Sequence, residues 1–341
     1  MTETTTVDTE TASATLASML SQGQKVHALI VTAQLGLADL LADGPRHAEE
    51  LAIVIGAHPR ALYRLMRALA GMGVLVEQDN DCFALTPLAE PLRSGVPGSL
   101  RARAQYLAVG MQAWNGLLHS VQTGESGWEQ VFGVGHYEYF ARHPETNTHF
   151  NAVMTTNTMR VLPDILSAYD LTGIDTLVDV GGGRGLLLGG ILKQYPQMQG
   201  VLLDLPHVVA EAPPVLKAAG VADRCRIVGG GFLTDLPPDA DAYMLKNMVL
   251  GMSDAETVQV LRACHTAMDR HSRLLIIEEV IGSGTSVGPA VQLDLSMLVN
   301  FGEAGVRTEE ELRALLTEGG FQLTRVVPAG RAGTIVEASR I

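Results

Sequence analysis

A glycine-rich turn and a downstream aspartate are the residues whose types and spacing point most directly to chemistry. The apolar run at residues 177–180 is typical of a buried parallel strand, and four of the five residues at 181–185 are glycine before an apolar helix begins. Glycine allows a sharp turn and lets a ligand approach the backbone closely. Asp204 ends a second apolar strand about twenty residues further on, the spacing of an acid that holds ribose hydroxyls. The pattern predicts a ribose-containing ligand at the start of a helix.

The string Val-Asp-Val-Gly-Gly-Gly at residues 178–183 distinguishes between two ligands. A dinucleotide site would show Gly-x-Gly-x-x-Gly, which this turn lacks. Together with Asp204 and the Leu-Pro-His-Val run after it, the string suits S-adenosylmethionine (SAM) better. In this interpretation the turn receives the amino-acid end of SAM and Asp204 its ribose. The alternative is an α/β turn without a ligand.

Composition and charge limit the class of protein. The chain of 341 residues is long enough for two domains, and 47% of it is hydrophobic. Its net charge of −13 disfavours nucleic-acid and membrane partners, because both bind basic surfaces. Its 3 cysteines are widely spaced, so neither a disulfide framework nor a zinc knuckle is predicted. The polar start carries no signal-peptide pattern and no apolar run approaches the ~18 residues of a membrane span, so we expect a cytoplasmic protein.

The N-terminal part has the outline of a winged helix. After a tail at residues 1–12, which we expect to be disordered, the pattern is helical over residues 14–41 with a break at Gly36. Two short helices and a hairpin are then predicted at residues 48–55, 60–71, 73–77 and 82–86. Arginines on the second helix allow a DNA-binding interpretation, but the acidic balance and the apolar surplus favour a dimer contact. We expect a winged-helix dimerisation domain at residues 13–105.

Residues 106–170 are predicted to be a helical linker and substrate lid. Helices are expected at residues 101–122 and 146–168, with short helices in a loop at 128–140. The aromatic residues concentrated here are Trp114, Trp128, Phe132, Tyr137, Tyr139 and Phe150. They form either inter-domain core or a lid over an aromatic substrate, since pockets of that kind are apolar with a few polar groups. Both interpretations remain open.

From residue 171 to residue 341, strand and helix patterns alternate as in a doubly wound sheet. Strands are predicted at residues 177–180, 201–204, 225–228, 242–245, 274–278, 323–327 and 334–338. The last two are expected to form an antiparallel hairpin. The predicted fold class is α/β, with a Rossmann-like SAM-binding domain after a mostly α-helical winged-helix domain.

With these motifs in place, residues 14–341 resemble the class I SAM-dependent small-molecule O-methyltransferases of the plant caffeic-acid type and their bacterial secondary-metabolite relatives. The motifs occur in the family's order: the winged helix, Phe-Asn-Ala-Val-Met at 150–154, the glycine turn, Asp-Leu-Pro-His-Val at 204–208, Leu-Lys-Asn at 245–247 and Asp-Leu-Ser-Met at 294–297. Members of the family form an intertwined homodimer through the N-terminal domain. The resemblance implies a homodimer here, with a small molecule as substrate.

The resemblance also implies a set of site residues. Those that would bind SAM are Asp179, Gly181, Gly183, Asp204, Leu205, Gly231, Phe232 and Lys246. Those that would line the substrate pocket are Trp114, Phe150, Met154, Asn157, Asn247, Leu250, Met297, Asn300 and Phe301. Met154 on an apolar helix is equally compatible with a core position, and Lys246 at a strand end with a solvated charge.

Three positions depart from the family's motifs. The family's aspartate on the adenine side is Gly231 here, and losing one polar contact would weaken SAM binding by roughly 0.5–1.5 kcal/mol. The histidine that acts as general base in the family is Leu250 here, and the glutamate that orients it is Val306. The acid–base chemistry of the plant enzymes is therefore not expected. Anthracycline-tailoring bacterial relatives also have leucine at this position, and they include members that bind SAM without transferring its methyl group.

Other residues of these segments are candidates for a replacement base. They are Tyr106, His119, His136, Tyr137, His149, Asn300 and Glu303. A lone histidine in a helical stretch is, however, more often a surface residue or a satisfied core residue. No cluster of His and Asp has metal-ligand spacing, so no metal site is predicted.

SAM carries its own leaving group and positive charge, so transfer to an acceptor that is already nucleophilic needs no base. We therefore predict a SAM-dependent methyltransferase that acts on a small aromatic or polyketide/alkaloid-like metabolite at oxygen, carbon or nitrogen, by proximity and in-line transfer. The alternative is a SAM-binding tailoring enzyme that hydroxylates, decarboxylates or cyclises its substrate. A regulatory protein built from a winged helix and a SAM domain is a third hypothesis.

Overall fold

The computed structural model describes residues 9–282 and 288–341, and the chain divides into two compact units. The first contains Met1–Met111 and His143–Val153, and the second contains Gln112–Arg142 and Met154–Ile341. Part of the predicted helical linker thus belongs to the same unit as the predicted Rossmann-like domain. The domain boundaries predicted at residues 105 and 170 stay a prediction. None of the helices described is both long enough and apolar enough to cross a membrane.

A long helix opens the first unit. α1 (Thr9–Leu35) is separated from the short α2 (Leu37–Leu40) by Gly36, whose φ of 66° lies in the left-handed region that glycine adopts readily. The predicted break at Gly36 is confirmed. α1 begins at Thr9, inside the segment expected to be a tail, and residues 1–8 of that tail lie outside the described residues.

The winged-helix pattern of the first unit is confirmed. Its elements are β1 (Arg46–His47), α3 (Ala48–Ile55), α4 (Pro59–Gly71), β2 (Leu75–Gln78) and β3 (Cys82–Leu85). The strands form an antiparallel sheet in the order β1-β3-β2. Leu51, Met66 and Phe83 are fully buried in the core that α3, α4 and the hairpin share. β1 was not predicted, because two residues carry no hydrophobic periodicity of their own.

An apolar stripe on α1 is exposed. Leu16, Met19 and Leu20 are 59%, 63% and 78% exposed and lie on one face of the helix, because residues three and four apart are neighbours there. Contiguous exposed apolar surface of this kind marks an interaction site.

The helices between the hairpin and the large sheet are more broken than predicted. They are α5 (Arg101–Ala113), α6 (Leu117–Thr123), α7 (Gly127–Phe132), α8 (His136–Arg142) and α9 (Pro144–Ala168). The single helix predicted over residues 101–122 is wrong, because a 3₁₀ turn at Trp114–Gly116 interrupts it. The turn brings Gly116 against Gly127, where a Cβ on Gly116 would collide with the Gly127 backbone.

A seven-stranded sheet forms the centre of the second unit, in the order β6-β5-β4-β7-β8-β10-β9. Its strands are β4 (Thr176–Val180), β5 (Gln199–Asp204), β6 (Cys225–Gly229), β7 (Ala242–Lys246), β8 (Arg273–Glu278), β9 (Phe321–Pro328) and β10 (Thr334–Arg340). β4 to β8 pair in parallel, whereas β10 is antiparallel to both β8 and β9. All seven predicted strands and the terminal hairpin are confirmed.

Helices on the sheet's faces bury its apolar strands and set the place of the site. They are α10 (Leu186–Gln194), α11 (Pro206–Val209), α12 (Ala212–Ala219), α13 (Asp254–Ala267) and α15 (Glu309–Glu318). A further helix, α14 (Pro289–Phe301), packs against α6 and α7 instead. Leu177 and Val178, adjacent on β4, belong to two different core clusters, as expected for a strand buried on both faces. The strand order reverses at β4, and ligands of open α/β sheets bind at such a switch point, outside the carboxyl ends of the strands.

Candidate active site

The glycine turn leaves β4 at this switch point. Gly181, Gly183 and Gly185 have φ values of 68°, 62° and 74°, a region that residues with a side chain rarely adopt. The amides of Gly181 and Gly182 donate to the Leu203 carbonyl at 2.8 and 3.3 Å, which ties the turn to β5. Around Gly183 the space where a Cβ would stand is open. The turn is therefore a fixed concave stretch of backbone with room above it.

Asp204 closes this turn from the end of β5. Its Oδ2 accepts the Gly183 amide at 2.7 Å and its Oδ1 accepts the Leu205 amide at 2.7 Å. A carboxylate has about four lone-pair sites, so both oxygens retain capacity for hydroxyl donors. Gly183, Asp204 and Leu205, which were all predicted as ligand contacts, are thus brought together in one hydrogen-bonded group. Its chemistry suits a ribose diol beside a positively charged ligand.

Asp179 lies buried beneath the turn, within electrostatic range of Lys246. Asp179 is 1% exposed, and its Oδ2 has no hydrogen-bond partner in the described part of the chain. Burial, followed by the Asp204 charge, raises the pKa of Asp179 to about 7, and Lys246 opposes that rise. Burial lowers the pKa of Lys246, and the Asp179 carboxylate opposes this. Lys246 is therefore a partly buried residue within electrostatic range of Asp179, and not a fully solvated charge.

The loop after β6 contains an acid that the sequence did not reveal as part of the site. Asp235 Oδ2 accepts the Gly231 amide at 2.9 Å and the Thr234 hydroxyl at 2.7 Å. These bonds hold the pKa of Asp235 below its usual range. Phe232 packs on the core behind the loop. A carboxylate is thus present beside Gly231, although it belongs to Asp235, four residues later in the chain.

Leu250 and Val306 lie in the same apolar cluster. Both are buried, with Ala290 and Met297 as further buried members, and Phe301 packs against them at the end of α14. The two positions where a base and its orienter were missing are therefore close in space and filled by complementary apolar side chains. Nothing in this cluster can accept a proton.

An aromatic cluster continues from this apolar cluster through Phe301. The rings that contact one another are Trp128, Phe132, His136, Tyr137, Tyr139, Phe140 and Phe301. Phe301 lies 4.8 Å from the His136 ring and 5.7 Å from the Tyr137 ring, measured between centroids. Burial lowers the pKa of His136 to about 3, so its imidazole is neutral and a poor base.

Tyr137 has a different environment from the other rings. It is 65% exposed, whereas Trp128 and Phe140 are buried. Surrounding protein, and secondly the Asp204 carboxylate, raise the pKa of its hydroxyl. The exposed end of the aromatic cluster therefore lies within electrostatic range of the group at Asp204. The choice between the lid and core interpretations stays open.

Comparison with known proteins identifies the family. Residues 114–322 match the O-methyltransferase domain, and residues 19–94 match the O-methyltransferase dimerisation domain. The chain belongs to the O-methyltransferase family. It is a SAM-dependent methyltransferase.

Relatives of this methyltransferase act in secondary metabolism. The phenazine O-methyltransferase of Lysobacter antibioticus is 40% identical over 96% of both chains, and the mitomycin biosynthesis 6-O-methyltransferase of Streptomyces lavendulae is 36% identical over 96% of this chain and 94% of its own. An O-methyltransferase from neocarzinostatin biosynthesis, solved with SAM and 2-hydroxy-5-methyl naphthoic acid, has a TM-score of 0.84 and 29% identity over 93% of this chain and 96% of its own. None of these relatives supports the non-methylating alternative.

The segment after β7 links the glycine turn to the apolar cluster that contains Leu250. Asn247 has a φ of 52°, which is uncommon for a residue with a side chain, and its amide donates to the Ile277 carbonyl at 2.9 Å. Met248 follows, and its Sδ would lie 2.8 Å from a Cβ placed on Gly181. Only glycine at position 181 leaves room for this contact, and Leu250 comes two residues later.

The other predicted residues are distributed over both units. Tyr106 and Phe150 contact each other in the first unit, with ring centroids 5.7 Å apart. In the second unit, Trp114 is in the 3₁₀ turn, Asn157 is half-buried on α9, and the Asn300 carbonyl accepts the Ser126 hydroxyl at 3.0 Å. Met154 is 38% exposed and therefore not a core residue.

Among the remaining candidate bases, His119 and His149 pair with acids of their own helix or the loop after it. His119 Nε2 lies 3.2 Å from Glu125 Oε2, and His149 Nε2 lies 4.0 Å from Glu145 Oε1. Glu303 is exposed. Within the described residues no group of His, Cys, Asp or Glu is arranged to hold a metal.

Charged residues behind the apolar cluster were missed by the sequence analysis. Glu278 and Arg307 are buried next to it, and burial raises the pKa of Glu278 to about 7, although the Leu250 amide and Arg307 oppose this. Asp294 on α14 binds the backbone at Val306. Most of their hydrogen bonds are with main-chain groups, and such contacts leave no signal in side-chain spacing.

Proposed function

We propose that this methyltransferase transfers the methyl group of SAM to an ionisable hydroxyl, or an equally nucleophilic nitrogen or carbon, of a planar aromatic secondary metabolite, and that no side chain acts as general base. The observation that carries the proposal is the contact cluster of Leu250 and Val306, which places two apolar side chains where base catalysis needs a proton acceptor and its partner. The named substrates of the relatives, among them a phenazine and a naphthoic acid, support a flat aromatic acceptor.

The donor side of the site fits SAM. We assign its binding to Asp179, Gly181, Gly183, Asp204, Leu205, Gly231, Phe232 and Lys246, with Asp235 added from the structure. Asp204 holds the ribose hydroxyls, the turn holds the amino-acid end, and the buried Asp179 carboxylate favours a cation above the turn. When bound, SAM supplies an electrophilic methyl group and leaves as a neutral thioether.

On the acceptor side, the protein orients the acceptor ring and excludes water. The proposed acceptor residues of the second unit are Trp114, Met154, Asn157, Asn247, Leu250, Met297, Asn300 and Phe301. Apolar side chains exclude water from the reacting atoms and hold the ring in line with the donor. A general base contributes about 10²–10⁴-fold to a rate, whereas effective molarities of 10⁵–10⁸ M are available from orientation alone. An acceptor that ionises without help from the enzyme therefore needs only to be oriented.

We also propose that the enzyme is a homodimer formed through its N-terminal domain. The dimerisation-domain match covers residues 19–94, and the exposed stripe of Leu16, Met19 and Leu20 lies at its start. Burying such a stripe against a second copy removes apolar surface from water, which stabilises association.

The proposal is tested with purified enzyme, SAM, and a series of hydroxylated phenazines and naphthoates whose hydroxyl groups differ in acidity. We expect a mass gain of one methyl group, and a rate that rises with pH along the ionisation of each acceptor and not with a constant pKa of the enzyme. A pH profile that is the same for all acceptors would show an enzyme base and contradict the base-free mechanism. SAM binding without any methylated product would contradict the proposed acceptor class.

A further inference from the structure

Glu278 holds the backbone at Leu250. It ends β8, is fully buried, and its Oε2 accepts the Leu250 amide at 3.1 Å. Its second oxygen is shielded from solvent. A buried carboxyl oxygen that accepts a backbone amide fixes that amide, and when the acid is ionised the bond is about twice as strong as a neutral one.

A second carboxylate holds the backbone at Val306 in the same way. Asp294 on α14 accepts the Val306 amide through Oδ1 at 2.9 Å. A Cβ on Gly305 would lie 2.8 Å from this oxygen, so glycine is needed for the approach. Two buried members of the apolar cluster, Leu250 and Val306, are therefore each held by an acid through the main chain.

Arg307 joins the two segments. Its guanidinium donates to the carbonyls of Val249 at 2.9 Å, Met252 at 2.7 Å and Gly305 at 3.3 Å. It is 5% exposed and also pairs with Asp254 at 2.9 Å. One planar cation thus spans the segment that carries Leu250 and the segment that carries Val306.

We propose that Glu278 and Asp294 are positioning residues for the methyl acceptor: through the amides of Leu250 and Val306 they fix the apolar wall against which the acceptor ring is held. This inference rests on the proposed acceptor pocket. Neither acid is the base itself, because a base must come within hydrogen-bond distance of the acceptor's proton. Glu278 directs one oxygen to the main chain and has the other enclosed, and Asp294 Oδ1 is engaged by Val306.

The test compares truncation with conservative replacement at both acids. Glu278→Ala and Asp294→Ala remove the acceptor of the amide, whereas Glu278→Gln and Asp294→Asn retain an oxygen that can accept it. Glu279→Gln, at the next residue and without a hydrogen bond to the described part of the chain, is the matched control. The measurements are kcat and KM for the acceptor at saturating SAM, Kd for SAM, and hydrogen exchange of the peptides that contain Leu250 and Val306.

We expect each alanine variant to raise the acceptor KM about tenfold, the loss of one hydrogen bond to a charged group, with SAM Kd within about twofold of the unchanged enzyme. Exchange at Leu250 should accelerate in Glu278→Ala, and exchange at Val306 in Asp294→Ala. Glu278→Gln and Asp294→Asn should recover most of both properties, and Glu279→Gln should leave them unchanged. Because Asp294 is less buried than Glu278, its variants provide a folded protein even where Glu278→Ala does not fold.

Three outcomes overturn the inference. If the alanine variants leave exchange at these amides unchanged, the acids do not fix the backbone. If exchange accelerates but the acceptor KM does not change, fixing the backbone does not position the acceptor. If Glu278→Gln loses as much activity as Glu278→Ala while its exchange stays slow, the carboxylate acts by its charge or its proton. An unmodified enzyme that methylates no aromatic acceptor instead refutes the proposed function, while the exchange data still decide whether the two acids hold the backbone.

Discussion

Leu250→His tests whether the apolar cluster as a whole, and not one missing histidine, rules out base catalysis. Leu250 is 6% exposed and packs with Ala290, Met297 and Val306. Removing its buried side chain costs about 1.5–3 kcal/mol, and a buried imidazole without a hydrogen-bond partner costs a further ~1–3 kcal/mol. We therefore expect the free energy of unfolding to fall by about 2.5–6 kcal/mol, measured by urea unfolding.

The introduced imidazole should be neutral and a weak base. Burial already lowers the pKa of His136 to about 3 in this protein. At the Leu250 position the imidazole is desolvated in the same way, and Val306 offers no carboxylate to stabilise its protonated form. Leu250→His alone should therefore not accelerate methylation of a weakly acidic phenol. Combined with Val306→Glu it should raise kcat/KM for that phenol towards the roughly 10²-fold that a base contributes.

Initial rates for the two single variants, the double variant and the unchanged enzyme decide the matter. They are measured by mass spectrometry at saturating SAM with one weakly acidic and one strongly acidic phenol. The acidic phenol is the internal control, because its rate should not respond to a base in any variant. An acceleration of about tenfold or more by Leu250→His alone would refute the reasoning, since the apolar surroundings would then not suppress the base.

Three further predictions concern the donor site, the buried acids and the dimer. Asp235→Ala should weaken SAM binding about tenfold by calorimetry, because it removes the only carboxylate bound to the Gly231 amide among the described residues, and Asp235→Asn should weaken it less. Burial raises the pKa of Asp179 to about 7, so the folded state binds this proton more tightly than the unfolded state does. The free energy of unfolding therefore falls as the pH rises from about 4 to about 7. Asp179→Asn should raise the free energy of unfolding by roughly 2–4 kcal/mol near pH 8 and hardly change it at pH 4. Leu16→Asp with Leu20→Asp should shift the enzyme from dimer to monomer in light scattering, whereas a mass that stays dimeric would place the interface elsewhere.

The sequence was sufficient for elements whose signal is local. Strands buried on both faces, such as Thr176–Val180, are nearly continuous apolar runs. The glycine turn is recognisable because four of its five residues are glycine. Gly36 was predicted as a break for the same reason. These features depend on residues adjacent in the chain, and the structure confirms them.

Features that depend on contacts between residues far apart in the chain were not predictable from the sequence alone. The interruption at Trp114–Gly116 exists because Gly116 packs on Gly127, and β1 exists because it pairs with Cys82 and Phe83. Asp235, Glu278 and Asp294 bind backbone amides, and any acid within reach could do so, whatever its spacing. Main-chain partners of this kind are decided by tertiary structure.

The left-handed residue Asn247 has a mechanical consequence for the whole reaction. Met248 lies against Gly181 in the proposed donor turn, and Leu250 lies in the proposed acceptor wall, so one short segment of backbone carries a residue of each. In-line attack requires the acceptor atom and the methyl group to be closely aligned. If many residues separated the two contact surfaces, the flexibility of each backbone bond between them would add to the misalignment. Here the path is two residues long, and it starts from a conformation that few side chains adopt. In the proposed mechanism, donor and acceptor are thus aligned by one rigid segment, because the residues that contact them, Met248 and Leu250, are only two positions apart.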